Sequence, residues 1–228
     1  MRKDLDISAY LVVGPENTMG RPVSDVIAQA LRAGFTCVQI RSKECSARDL
    51  IAYTIQAADV IAAAGKSKSV ALLVDDRLDV ALAAREAGAK VDGVHVGQTD
   101  IPVEVCRKLL GPDSIVGLSA RADEMLEYVK TADMSFVDYL GVGPLHETPT
   151  KTDCGLAADG TIITKSIDDL KELVCASPVP IVVGGGVKIA DIPLVKSTGV
   201  DGFFVVSAVC GAVNPEAAAR ELVDAWRD

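Results

Sequence analysis

Val70-Ala71-Leu72-Leu73-Val74-Asp75-Asp76-Arg77-Leu78-Asp79-Val80-Ala81-Leu82-Ala83-Ala84 contains a strand, a short polar loop and the start of a helix. The run to Val74 is strand-sized and apolar, as expected of a strand buried on both faces. After the acidic pair, Leu78, Ala81 and Ala84 recur at helical spacing, and Gly88 is a natural stop. The unit repeats on either side. Upstream, residues 10–13 form a strand, followed by a helix opened by Pro22, with Val23, Val26, Ile27, Ala30 and Leu31 on one face, and stopped by Gly34. Residues 37–41 form the next strand, and Ser46 is the N-cap of a long helix ending near Gly65. Downstream come strands at 93–96, 115–118, 137–142, 180–183 and 203–206. Helices start at Pro102, around Met125, and at Pro215 behind an Asn214 N-cap. Eight strand–helix units imply parallel pairing through crossovers. The expectation is a single-domain α/β fold, a (β/α)8 TIM barrel over residues 1–228, with an open doubly wound sheet as the alternative.

Composition narrows the function classes. Hydrophobic residues make up 49% of the chain and charged residues 24%, a balance that builds a core and argues against disorder. The apolar runs are too short to span a bilayer, and Met1-Arg2-Lys3-Asp4-Leu5-Asp6 lacks the apolar stretch of a secretory signal. A net charge of −9 opposes nucleic-acid binding, so an anionic ligand must meet a local cluster of donors. The six cysteines are scattered, without metal-ligand spacing; reduced thiols are expected, with Cys37 and Cys210 as core fillers. The expected setting is the cytoplasm and the expected partners are small molecules, with homo-oligomerisation left open.

In a barrel of this kind, chemistry collects just after each strand. After the second strand, Gln39, Arg41 and Lys43 alternate, so a period of two turns all three one way. Two cations and an amide suit a phosphate or diphosphate; the competing reading is a solvated loop. Asp75-Asp76 follows the third strand and Asp100 the fourth. Carboxylates from adjacent strand ends suit Mg²⁺, while helix N-capping by Asp76 or Asp100 is the rival. Ser119 after the fifth strand is a possible phosphate donor or a cap. A polar loop over 143–160 carries Thr148, Thr150 and Lys151 and has the length of a functional lid. Gly184-Gly185-Gly186 after the seventh strand and Val206-Ser207-Ala208 after the eighth stand where barrels of this type bind a monophosphate through bare backbone. His95, in an apolar strand, reads as a structural histidine. These residues describe a phosphate-handling barrel without a nucleophile–base pair.

The ordered set resembles the thiamine phosphate synthase family: Gln39-x-Arg41-x-Lys43, Asp76-Arg77, Gly93-Val94-His95-Val96-Gly97-Gln98-x-Asp100, Gly117-x-Ser119, Asp138-Tyr139-x-Gly141-Val142-Gly143-Pro144, Thr148-x-Thr150-Lys151, Gly185-Gly186-Val187 and Val206-Ser207-Ala208. The resemblance implies a transferase that joins an aminopyrimidine diphosphate to a thiazole phosphate. It implies that Arg41, Lys43, Ser119 and Lys151 hold the diphosphate and that Asp76 and Asp100 hold Mg²⁺. Gln39 would contact the aminopyrimidine, Thr148 and Thr150 would lie on the closing loop, and Gly186, Val206 and Ser207 would hold the thiazole phosphate. One departure is Asp75, where the family usually has Asn; a carboxylate there repels a diphosphate unless it binds metal or turns away. A second is the unusual stretch over 152–165. The rivals are a thiazole tautomerase-like isomerase, disfavoured because Ser119-Ala120-Arg121-Ala122 lacks a histidine, and a non-catalytic phosphate-binding barrel.

Overall fold

The computed structural model describes residues 5–119, 125–147 and 162–228. Eight parallel strands close into a barrel in chain order, β1 (Ala9–Val13), β2 (Cys37–Ile40), β3 (Ala71–Asp75), β4 (Gly93–Val96), β5 (Ile115–Ser119), β6 (Tyr139–Val142), β7 (Ile181–Val183) and β8 (Gly202–Val205). Closure is made by β8 against β1, with Tyr10 beside Phe204. The helices outside are α1 (Val23–Ala33), α2 (Ala47–Ala63), α3 (Leu78–Glu86), α4 (Val103–Leu110), α5 (Met125–Thr131), α6 (Ile167–Ala176), α7 (Ile192–Lys196), α8 (Ser207–Cys210) and α9 (Pro215–Arg227). The (β/α)8 expectation holds, and the open-sheet alternative does not.

Each strand is sorted by its two-residue period. Leu11, Val38, Leu72 and Val94 face outward into the apolar layer beneath the helices. Tyr10, Val12, Cys37, Leu73, Ile115, Tyr139 and Val182 fill the barrel interior. Cys37 and Cys210 are fully buried thiols, as expected, and burial pushes Cys210 up to about 12.

Local boundaries differ from expectation where local hydrogen bonds compete. β6 starts at Tyr139 rather than Val137, because a 3₁₀ turn over Met134–Phe136, capped by Asp133 on the Ser135 N–H, takes up the preceding chain. β2 ends at Ile40; the Arg41 N–H still donates to the Val13 carbonyl at 2.9 Å, and Lys43 lies beyond the ladder. Pro22 stands one residue before α1, as its N-cap. Ser46 and Asn214 cap α2 and α9 as read, accepting from Asp49 N and Ala217 N.

A repeated clamp ties the strands in pairs at the barrel's N-terminal end. The residue just before each even-numbered strand donates its N–H to an odd-strand carbonyl: Thr36 to Ala9, Asp92 to Leu72, Asp138 to Val116 and Asp201 to Ile181. Its side chain then accepts from the N–H of that same odd-strand residue, at 3.3 Å for Thr36 and 2.8 Å for each aspartate. Both backbone groups of Ala9 and Ile181, the first residues of β1 and β7, and of Leu72 and Val116, the second residues of β3 and β5, are thereby satisfied. Arg107 braces Asp138 at 2.6 Å and Lys90 braces Asp92 at 2.7 Å. Asp138, which belongs to a family-like motif, therefore works at the end of the barrel opposite the polar strand ends.

Candidate active site

Side chains at the opposite, C-terminal ends of the strands line a pocket of about 780 Å³, counted to its open mouth. Gln39, Arg41, Asp75, Ser119, Gly186, Val206 and Ser207 all line it, so seven of the expected residues converge from five strand ends. Lys43, Asp76 and Asp100 form a group beside the pocket. Thr148, Thr150 and Lys151 lie outside the described residues.

The basic and acidic groups are interleaved. Arg41 Nε lies 3.1 Å from Asp75 Oδ2, with both side chains largely buried. Asp75 thus turns toward the guanidinium instead of confronting an incoming anion with an unneutralised charge. Lys43 Nζ lies 2.5 Å from Asp76 Oδ2. It reaches there because β2 has already ended, and the period of two does not carry it inward with Gln39 and Arg41.

Asp76 adopts a left-handed backbone conformation (φ 56°), rare for a side chain with a Cβ, and its N–H donates to the His95 carbonyl at 2.8 Å. Asp100 Oδ2 accepts from the Gly97 N–H at 2.7 Å. Neither aspartate caps a helix: the N-caps of α3 and α4 are Arg77 and Pro102. The capping alternative therefore fails for both. Burial, and then hydrogen bonding to the Asp76 carboxyl, raise the Asp100 pKa above its ordinary value, with Gly97 N–H and Lys43 opposing. Two carboxyl groups in mutual contact beside cations form a donor set that suits Mg²⁺, which takes one or two carboxylates and completes its shell with water and phosphate oxygens.

The glycine turn has a second duty. Gly185 and Gly186 have φ of 81° and 75°, and a Cβ on them would come within 2.6 Å of Pro144 Cα and 2.9 Å of His146 Cβ. Their bareness lets residues 144–146 pack against the turn, where Leu145 N donates to the Gly184 carbonyl and His146 N to the Gly185 carbonyl. His146 Nε2 and the Lys188 N–H both meet Asp191 Oδ2, at 2.9 and 2.8 Å, which joins the β6 loop to the loop after β7.

A buried polar chain crosses the pocket floor. Gln39 Nε2 donates to Tyr10 Oη at 2.8 Å, and Tyr10 Oη meets Tyr139 Oη at 2.8 Å. Tyr139 Oη lies 2.9 Å from His95 Nδ1, whose Nε2 lies 2.8 Å from Ser119 Oγ. Burial first, and then neighbouring ionisable groups, hold both phenols well above the ordinary tyrosine value. His95 is satisfied at both nitrogens, as a structural histidine should be, but it lines the pocket as well. Tyr10 and Phe204 line the pocket and Tyr139 joins the chain beneath it, and none of the three stood out in the sequence as a site residue. Their only signal was an aromatic hydroxyl or ring in an inward register, which ordinary core tyrosines share.

Fold and site together define a (β/α)8-barrel enzyme whose polar groups gather at the C-terminal ends of its strands. The sequence profile of the thiamine monophosphate synthase family matches residues 9–209, and the chain belongs to that family of transferases. A thiamine-phosphate synthase of Albidiferax ferrireducens is 40% identical over 219 residues, covering 95% of this chain and 91% of that protein. Another, of Desulfitobacterium hafniense, is 37% identical over 229 residues, covering 98% and 99%. Among solved structures, thiamine phosphate pyrophosphorylase from Pyrococcus furiosus superposes with a TM-score of 0.76 at 29% identity, covering 97% of this chain and 96% of that one. A 3-hexulose-6-phosphate synthase structure, with a TM-score of 0.63 at 16% identity, shares the fold.

Proposed function

We propose that this chain transfers the aminopyrimidine-methyl group from its diphosphate to thiazole phosphate, giving thiamine phosphate and pyrophosphate, with Mg²⁺ as cofactor. The observation that carries this reading is one pocket lined both by Arg41 and Ser119 and by Gly186, Val206 and Ser207. Those two sets of groups supply donors for two anions. In this reading Arg41, Lys43 and Ser119 hold the diphosphate, joined by Lys151. Gln39 meets the aminopyrimidine, the main chain at Gly186, Val206 and Ser207 meets the thiazole phosphate, and Asp75 sets the direction of Arg41. Thr148 and Thr150 belong to the closing loop.

The chemistry asks for no general base. The carbon–oxygen bond to the diphosphate breaks with its electron pair leaving on pyrophosphate, and the thiazole nitrogen lone pair then forms the new carbon–nitrogen bond. The protein must neutralise the leaving group and keep water from the carbon centre. Arg41, Lys43 and the Ser119 hydroxyl supply positive charge and a hydrogen-bond donor, and the apolar walls Val12, Val182 and Phe204 exclude water. Asp76 and Asp100 would hold Mg²⁺, which would supply further charge neutralisation for the leaving group. Buried thiols at Cys37, Cys106 and Cys210 suit a reducing cytoplasm.

The test is pyrophosphate release from purified protein given both substrates and Mg²⁺, with Asp100→Ala and no-thiazole controls. Release that needs both substrates and the metal, with thiamine phosphate appearing in step, is expected. Silence from folded protein would overturn the reading.

A further inference from the structure

The buried chain from Gln39 to Ser119 has a direction, and that direction determines what Ser119 offers the pocket. Gln39 Nε2 is a donor, so Tyr10 Oη accepts from it. Tyr10 has a single proton of its own. Given to Tyr139 Oη, 2.8 Å away, that proton makes a normal hydrogen bond. With the order reversed, Tyr10 would accept twice and turn its proton toward the Cys37 thiol, which it also touches; sulfur is a weak acceptor. Tyr139, having accepted from Tyr10, donates to His95 Nδ1. A neutral imidazole that accepts at Nδ1 carries its proton on Nε2, and that N–H points at Ser119 Oγ 2.8 Å away.

We propose that Tyr139 locks His95 as the Nε2–H tautomer, and that His95 thereby acts as a positioning residue that turns the Ser119 hydroxyl proton into the pocket. Ser119 Oγ, occupied by the histidine N–H, has its own proton left for a ligand. An anionic oxygen is the acceptor such a proton prefers. The opposite polarity would have Ser119 donate to His95 and face the anion with lone pairs alone. Gly141 makes the arrangement possible, since a Cβ there would fall 2.8 Å from His95 Cε1 and 3.3 Å from Ser119 Oγ. The proposal rests on the assignment of Ser119 to the leaving diphosphate made above.

The chain contains two histidines, so His146→Gln leaves His95 as the single imidazole to observe. With ¹⁵N-histidine, long-range ¹⁵N–¹H correlation reads its tautomer directly. The expected spectrum shows a protonated Nε2 and a bare Nδ1. Tyr139→Phe should then mix the tautomers and lower kcat about tenfold, with KM for thiazole phosphate unchanged. Tyr10→Phe breaks the chain one link earlier, away from the histidine, and should move both readouts the same way by less. In a Ser119→Ala background the Tyr139→Phe effect should shrink to less than twofold. A wild-type Nδ1–H tautomer, or a Tyr139→Phe loss undiminished by Ser119→Ala, would overturn the proposal. If Ser119→Ala alone left kcat and the diphosphate KM at wild-type values, the placement of Ser119 on the diphosphate would fall instead, whatever the tautomer.

Discussion

Asp75 illustrates how one side chain takes its meaning from a neighbour on the next strand. Read from the chain alone, a carboxylate at a strand end beside Arg41 and Lys43 is an obstacle to an anion. In the fold its Oδ2 sits 3.1 Å from Arg41 Nε, and both belong to the pocket wall. The pair holds the guanidinium in place while tempering the positive charge that Arg41 presents. Asp75→Asn removes the negative charge and adds an N–H donor, so the KM for the aminopyrimidine diphosphate should fall about fivefold, equivalent to roughly 1 kcal/mol of added attraction. Asp75→Ala, which removes the charge without adding a donor, should give a smaller decrease. Steady-state kinetics with pyrophosphate as the readout checks both, and a raised KM in the asparagine variant would contradict the charge-tempering account and leave Asp75 as an anchor for Arg41 alone. Lys43 carries the complementary lesson: its salt bridge to Asp76 followed from where β2 stops, and alternation along the chain said nothing about that.

Among the elements, the clamps before β2, β4, β6 and β8 are the least expected feature and the simplest physically. A short polar side chain placed one residue ahead of a strand closes a two-way bracket on its neighbour, and the pattern recurs at Thr36, Asp92, Asp138 and Asp201. Asp138 accepts from Val116 N and pairs with the largely buried Arg107. Asp138→Ala leaves a buried N–H and a guanidinium without their acceptor, a loss of about 3 kcal/mol. Urea unfolding should show that loss with little change in slope, and a loss below about 1 kcal/mol would mean the bracket is dispensable. The strands and caps around these clamps were largely legible: alternating apolar runs, Ser46 and Asn214 appear in the fold much as read. The short α7 and α8 were not singled out, because a few residues carry too little periodicity to stand out, and the ten-residue α6, capped by a reciprocal Ser166–Asp169 box, was not singled out either.

Across the whole molecule, the pairing of β3 with β4 brings Asp76 and Asp100 together, and the proposed Mg²⁺ site there would link metal binding to stability. The raised Asp100 pKa means that the fold binds this proton more tightly than the unfolded chain does. Its contribution to stability is therefore greatest below the ordinary value of 3.8 and declines as pH rises through the raised folded value. In the absence of metal, Asp100→Asn should stabilise the protein at neutral pH by up to about 1 kcal/mol, a modest figure because the partly exposed pair is screened by solvent. The Tm difference from wild type should grow as pH rises through that window. Mg²⁺ at ten times its Kd should restore about 1.4 kcal/mol to the wild type and leave the variant nearly unmoved. Thermal unfolding in chelator and in Mg²⁺ measures both, and equal Mg²⁺ shifts in the two proteins would remove Asp100 from the metal site. No helix among the described residues is long and apolar enough to cross a membrane.

The sequence by itself determined the eight strand–helix units, the capped helices and the polar character of the strand ends, because periodicity, capping and turn chemistry act over a few residues, whereas closure into a barrel rather than an open sheet was decided by the β8–β1 pairing. It also carried the ordered motifs that mark the family. Only the tertiary structure decided which of those polar groups meet. Arg41 with Asp75, Lys43 with Asp76, Asp76 with Asp100, and the Gln39–Tyr10–Tyr139–His95–Ser119 chain all join residues from different strands. Their distances depend on register and closure around the whole barrel, and a hydroxyl or carboxylate acquires its direction there only from the partner it finds.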